Sequence, residues 1–168
     1  MRVVAISGSL RASSSTSAVL RLAKEVAPPN VEVTFYEGVG DLPHFTPDLD
    51  TDEPPAAVQT LRAALREADA LLICTPEYAH GMPGSLKNML DWVVSWPELV
   101  GKRIAALSAS PSSDGGSYAH AWLVQTLEVM STNVVATLIV PYVKNRLASN
   151  DETLRAELRE VLYRLGSM

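Results

Sequence analysis

Val3-Val4-Ala5-Ile6-Ser7-Gly8-Ser9-Leu10-Arg11-Ala12-Ser13-Ser14-Ser15-Thr16-Ser17 is an apolar run that passes into a hydroxyl-rich turn and then into a helical pattern. Four consecutive apolar residues, Val3 to Ile6, fit a central parallel strand buried on both faces. Gly8 lets the backbone turn without a Cβ penalty, and Ala18, Val19, Leu22, Ala23 and Val26 repeat at helical spacing. The turn therefore delivers backbone N–H groups at a helix start, where an anion is favoured. Ser9, Ser13, Ser14, Ser15 and Thr16 add hydroxyls and Arg11 adds a guanidinium, which is an inventory for enclosing a phosphate. A helix cap at Ser13 or Ser14 explains one hydroxyl and leaves the others without a task.

Other phosphate loops fit poorly. Neither Gly-x-x-x-x-Gly-Lys-Ser/Thr nor Gly-x-Gly-x-x-Gly is present around Gly8, which argues against a triphosphate loop and a dinucleotide pyrophosphate loop. A terminal phosphate gripped by side chains points instead to a mononucleotide.

Outward from this stretch, strands and helices alternate. Val31 to Tyr36 alternates as a half-exposed edge strand, and Ala70 to Cys74 is apolar throughout. Arg103 to Ser108 and Val134 to Val140 complete five strands. Helical patterns cover the segment ending near Pro28-Pro29, then Ala56 to Glu67, about Ser85 to Val94, Tyr118 to Met130, and Glu152 to Leu165. Residues 37–54 form a long loop rich in Pro, Gly and acidic residues, and Pro43-His44-Phe45 within it is placed to border a ligand. Alternation of this kind predicts an α/β fold: a five-stranded parallel sheet of order 2-1-3-4-5, with helices on both faces as a three-layer sandwich. Ligands of such sheets sit beyond the carboxyl ends of the strands, at the switch point between strands one and three.

Two loops meet there. The second, Thr75-Pro76-Glu77-Tyr78-Ala79-His80-Gly81-Met82-Pro83, is stiffened by prolines and suits a flat ring, with Tyr78 offering a face or an edge. A plain strand-to-helix connection is the competing reading. The third, Ser108 to Ser117, follows strand four beside the same crevice, and its small residues let a ring pass close to the backbone. Cys74 lacks the arginine six residues on that a cysteine phosphatase needs, and fits a small core side chain. His44, His80 and His120 are too scattered for a metal motif. Glu77 and His80 form a conceivable acid–base pair to which no role is assigned.

Gly8-Ser9-Leu10-Arg11-x-x-Ser14 followed by Pro76-Glu77-Tyr78 resembles the NADPH-dependent FMN reductases, a flavodoxin-like family that includes quinone, azo and chromate reductases. The resemblance implies that Ser9, Arg11, Ser14, Ser15 and Thr16 hold the FMN phosphate. It implies also that Pro76, Glu77, Tyr78 and Ala79 line the isoalloxazine, with Ser110 and Gly115 flanking it. Thr16 and Ala79 stand where that family usually has Asn. The implied activity is hydride transfer from NADPH or NADH through FMN to free flavin, a quinone or an azo compound, with the flavin carrying the chemistry and no catalytic side chain required. A flavodoxin-type electron carrier and a mononucleotide-binding regulatory module remain alternatives.

The 168 residues suit one domain spanning 1–168, and 47% hydrophobic content supports a sizeable core. A net charge of −5 without a basic cluster argues against nucleic acid and anionic membranes, leaving small molecules as partners. One cysteine permits no internal disulfide, no apolar run approaches the ~20 residues that span a bilayer, and Met1 leads directly toward a strand without a signal-peptide pattern. A cytoplasmic protein is expected. Leu86, Met89, Leu90, Trp92, Val93, Val94 and Trp96 form an apolar set wider than one core stripe, which predicts a homodimer or homotetramer through that helix.

Overall fold

A computed structural model describes residues 1–167. Five strands, β1 (Arg2–Ser7), β2 (Glu32–Tyr36), β3 (Ala70–Thr75), β4 (Arg103–Ala109) and β5 (Asn133–Val140), form one all-parallel sheet in the order β2-β1-β3-β4-β5. The order is the one the alternation predicts. Every residue of β3 is buried, as expected of a central strand covered on both faces, whereas β2 and β5 at the edges are partly exposed.

Six helices cover the sheet: α1 (Ser15–Val26), α2 (Ala56–Glu67), α3 (Gly84–Asp91), α4 (Ser117–Val129), α5 (Val143–Ala148) and α6 (Glu152–Gly166). One core layer packs α2, α3 and α4 against Val4, Ile6, Leu71, Ile73, Ile104 and Ala106. The other packs α1, α5 and α6 against Val3, Ala5, Leu72, Leu107 and their neighbours. α1 shows why the sequence folds this way. Ser14 caps it by accepting the Ser17 N–H, while Thr16, Val19, Leu20 and Ala23 bury one stripe. Ala27, which precedes Pro28, is extended with ψ 137° and ends the helix. α6 begins where Asp151 accepts the Thr153 and Leu154 N–H groups, and buries Leu154, Leu158, Val161, Leu162 and Leu165.

Within residues 37–54, the stretch around Pro43-His44-Phe45 is tied down on the chain's own core. The Pro43 carbonyl accepts hydrogen bonds from Asn88 Nδ2 (3.0 Å) and Trp92 Nε1 (2.7 Å), and the Phe45 N–H donates to Asn88 Oδ1 (2.8 Å). The Phe45 ring meets Trp92 edge to face at 5.2 Å. The segment is packed onto α3, and it absorbs the wide apolar set: Trp92, Val93 and Trp96 are all buried in the chain's own core. Val94, 51% exposed, is the member of that set left outward.

Candidate functional site

The first loop is built on a chain of hydroxyls. Thr16 Oγ1 lies 2.6 Å from Ser14 Oγ and 2.8 Å from Ser7 Oγ, and the Ser17 hydroxyl donates to Ser7 Oγ at 3.0 Å. Ser7 Oγ also accepts the Ser9 N–H at 3.2 Å, and Ser9 Oγ accepts the Arg11 N–H at 3.3 Å. Ser14 and Thr16 are buried, so they fix the loop from beneath, while Ser9 and Ser15 are half-buried and Arg11 is exposed. Ser7, the last residue of β1, is the hub of this network, and it and Ser17 were not singled out from the sequence. The position of Ser17 three residues after the Ser14 cap was the available sign.

Gly8 is needed for room. Its φ is not in the left-handed region, but a Cβ there would come within 2.9 Å of Leu86 Cδ2 and 3.2 Å of Pro76 Cδ. The first and second loops therefore touch across the β1/β3 switch point, and the Gly8 N–H donates to the Cys74 carbonyl at 2.9 Å. Cys74 is fully buried, and burial pushes its thiol well above its ordinary range, which suits a core side chain.

In the second loop Tyr78 and Gly81 exchange two backbone hydrogen bonds of 3.0 Å each, closing a two-residue turn at Ala79 and His80. Both central residues are left-handed, with φ of 49° and 59°. Turns of this kind favour Asn-Gly, and each residue held in that region costs about 1–3 kcal/mol. Tyr78, Ala79 and His80 are exposed, and Pro76 and Glu77 are half-buried. Trp122 of α4 lies against Gly81, where a Cβ would meet its ring at 3.4 Å.

The third loop joins the second through α4. Glu77 Oε2 accepts the Ala119 N–H at 3.0 Å, placing a carboxylate on the positive end of that helix. Gly116 caps α4 with φ 80°, and Gly115 has φ 65° where a Cβ would strike Ile139 at 2.4 Å. Ser110 Oγ and Ser112 Oγ lie 2.6 Å apart, and the Ser112 hydroxyl donates in turn to Asp114. That hydroxyl and the Gly116 N–H hold the Asp114 carboxyl below its ordinary range, with a smaller contribution from His80. Gly115 thus shapes the loop, whereas Ser110 stands half-buried at its mouth.

A cleft of about 530 Å³ opens beside the first loop, lined by Ser7, Ser9, Arg11 and Ser17 on one side and Tyr36 and Asp41 on the other. A larger one of about 880 Å³ involves none of the three loops; its walls include Asp50, Arg62 and Ser95, which bond to one another. The three loops stand at the carboxyl ends of β1, β3 and β4, where they bring together hydroxyl groups, the Arg11 guanidinium, which has no acidic partner among the described residues, and a turn with two left-handed residues. The donor set fits FMN: hydroxyls and Arg11 suit the phosphate, and the stiff Pro76–Gly81 turn suits a flat ring.

Fold and loops define a flavodoxin-like mononucleotide-binding protein. The family described as NADPH-dependent FMN reductase matches residues 1–144. The chain is 34% identical over 138 residues to a quinone reductase of Escherichia coli, covering 80% of this chain and 73% of that one. It is 33% identical over 166 residues to an NAD(P)H-dependent FMN reductase of Pseudomonas aeruginosa, covering 96% and 89%. Among solved structures it is similar to FerB, a flavoenzyme NAD(P)H:(acceptor) oxidoreductase from Paracoccus denitrificans. The TM-score is 0.81 at 26% identity, over 98% of this chain and 96% of that one. This chain belongs to the NADPH-dependent FMN reductase family.

Proposed function

We propose that residues 1–168 form one FMN-binding domain that takes electrons from NADPH or NADH and reduces a small acceptor such as a quinone, an azo compound or free flavin. The observation that carries this reading is the contact of the first and second loops at the β1/β3 switch point, with Gly8 under Pro76 and Leu86 and the Arg11 guanidinium left without an acidic partner among the described residues. Arg11, Ser9 and Ser15 grip the phosphate, while Ser14 and Thr16 hold those groups in place from below. Pro76, Glu77, Tyr78 and Ala79 border the ring on one side, and Ser110 and Gly115 border it on the other. Bound FMN supplies two-electron chemistry, and the protein supplies orientation and exclusion of water. An electron carrier or a regulatory module is not favoured, since the matched family and relatives are reductases.

The same chain pairs with itself as a homodimer or homotetramer. Support comes from α4, which exposes Tyr118 (53%), Trp122 (56%) and Val129 (77%) along one stripe, and from Val94, exposed in the turn after α3. No helix among the described residues is long and apolar enough to cross a membrane, which accords with a cytoplasmic setting. Purification tests the cofactor directly. The protein should carry a yellow flavin released as FMN on denaturation, and a chain that neither retains nor rebinds FMN would contradict the reading.

A further inference from the structure

The imidazole of His80 is exposed at the tip of the second loop and stacks on the Tyr118 ring, with centroids 4.4 Å apart. A two-residue turn of this type is relaxed with Asn-Gly, yet this chain places Ala79 and His80 there at positive φ. The turn is held by the paired Tyr78–Gly81 hydrogen bonds and by Trp122 over Gly81. Strain held in place next to the Pro76–Ala79 segment proposed above to border the ring points to a side chain whose position matters. Of the ionisable groups around it, Tyr118 comes from α4, Asp114 from the loop after β4 and Glu77 from its own loop, and the Glu77 carboxylate is engaged by the Ala119 N–H.

Reduction of a quinone consumes two electrons and two protons. The nicotinamide provides both electrons and one hydrogen, so one proton must come from elsewhere. We propose that His80 is the proton donor to the acceptor: an imidazolium N–H bond breaks, an O–H bond forms on the acceptor oxygen, and water returns a proton to the exposed ring. The role rests on the reductase reading above.

The test is anaerobic stopped-flow on the FMN-loaded wild type and His80→Asn, since Asn tolerates the left-handed backbone. NADPH should bleach both equally. Reoxidation by benzoquinone should slow by about 100-fold or more in the variant. Reoxidation by ferricyanide, a one-electron acceptor that takes no proton, should not change. Imidazole should restore the benzoquinone step in His80→Gly. An unimpaired His80→Asn with benzoquinone overturns the proposal. Equal losses with benzoquinone and ferricyanide also overturn it, because they make His80 a structural part of the turn. A wild type that NADPH cannot bleach overturns the reductase reading and this role with it.

Discussion

Glu77 Oε2 accepts the Ala119 N–H at 3.0 Å, so a residue of the loop after β3 closes the start of the helix after β4. The loops after β3 and β4 are thereby one mechanical unit. Removing the carboxylate in Glu77→Ala should cost about 0.5–2 kcal/mol, the usual value of a helix cap, and should also weaken FMN. Glu77→Gln keeps an acceptor oxygen and should lose less. Urea denaturation and flavin titration check both effects, and an Ala variant with unchanged stability would show that the contact is idle.

At the phosphate, Arg11 and Thr16 should fail in different ways. A charge-assisted hydrogen bond contributes about 1.5–3 kcal/mol, so Arg11→Ala should weaken FMN roughly 10- to 100-fold with little change in folding. Thr16→Val leaves Ser7 and Ser14 each short of the oxygen now 2.8 and 2.6 Å away, and should lower stability as well. Fluorescence titration with FMN and with riboflavin separates the cases: Arg11→Ala should narrow the preference for FMN by the same roughly 10- to 100-fold. An unchanged preference for FMN would remove Arg11 from the phosphate site.

His120 gives the fold a pH dependence. Burial pushes its imidazole below the ordinary value of 6.5, and its Nδ1 has no hydrogen-bond partner among the described residues. The unfolded ring takes up a proton near 6.5 while the folded ring resists it, so the unfolded state holds more protons just below that pH. Stability therefore rises with pH across this window and is lost as pH falls through it. Denaturation at about pH 7.5 and 5.5 should show the loss in wild type and a smaller one in His120→Leu. Equal losses would assign the effect to other groups.

Self-association should depend on α4 and much less on the α3 region, because Trp92 and Trp96, which follow α3, are buried in their own subunit while Trp122 is 56% exposed. Trp122→Glu should shift the protein toward monomer in light scattering at micromolar concentration. An oligomer that survives this substitution and Val129→Glu would place the interface elsewhere.

Much of this architecture is legible in the chain. The runs Val3 to Ile6 and Ala70 to Cys74 mark buried strands, and the turns after them mark the crevice, because full burial of a parallel strand leaves few polar residues to confuse the pattern. What depends on tertiary contact is not legible. Gly8 reads as a turn residue, yet its smallness serves Leu86 and Pro76, which lie far away in sequence. The apolar excess on α3 reads as an interface until Phe45 and the Pro43 carbonyl are seen against Trp92. α5 is six residues long and starts after a left-handed Tyr142, so neither length nor a capping residue announces it. Ser7 and Ser17 look like two more serines until the hydroxyl chain joins them.

The central claim is that electrons pass from a nicotinamide through FMN held between the Ser7–Thr16 and Pro76–Gly81 loops to an acceptor, and anaerobic titration of the FMN-loaded protein tests it most directly. One equivalent of NADPH or NADH should bleach the flavin absorbance, and one equivalent of a quinone should restore it, with ping-pong kinetics at steady state. A bound flavin that stays yellow under excess NADPH and NADH would contradict the account.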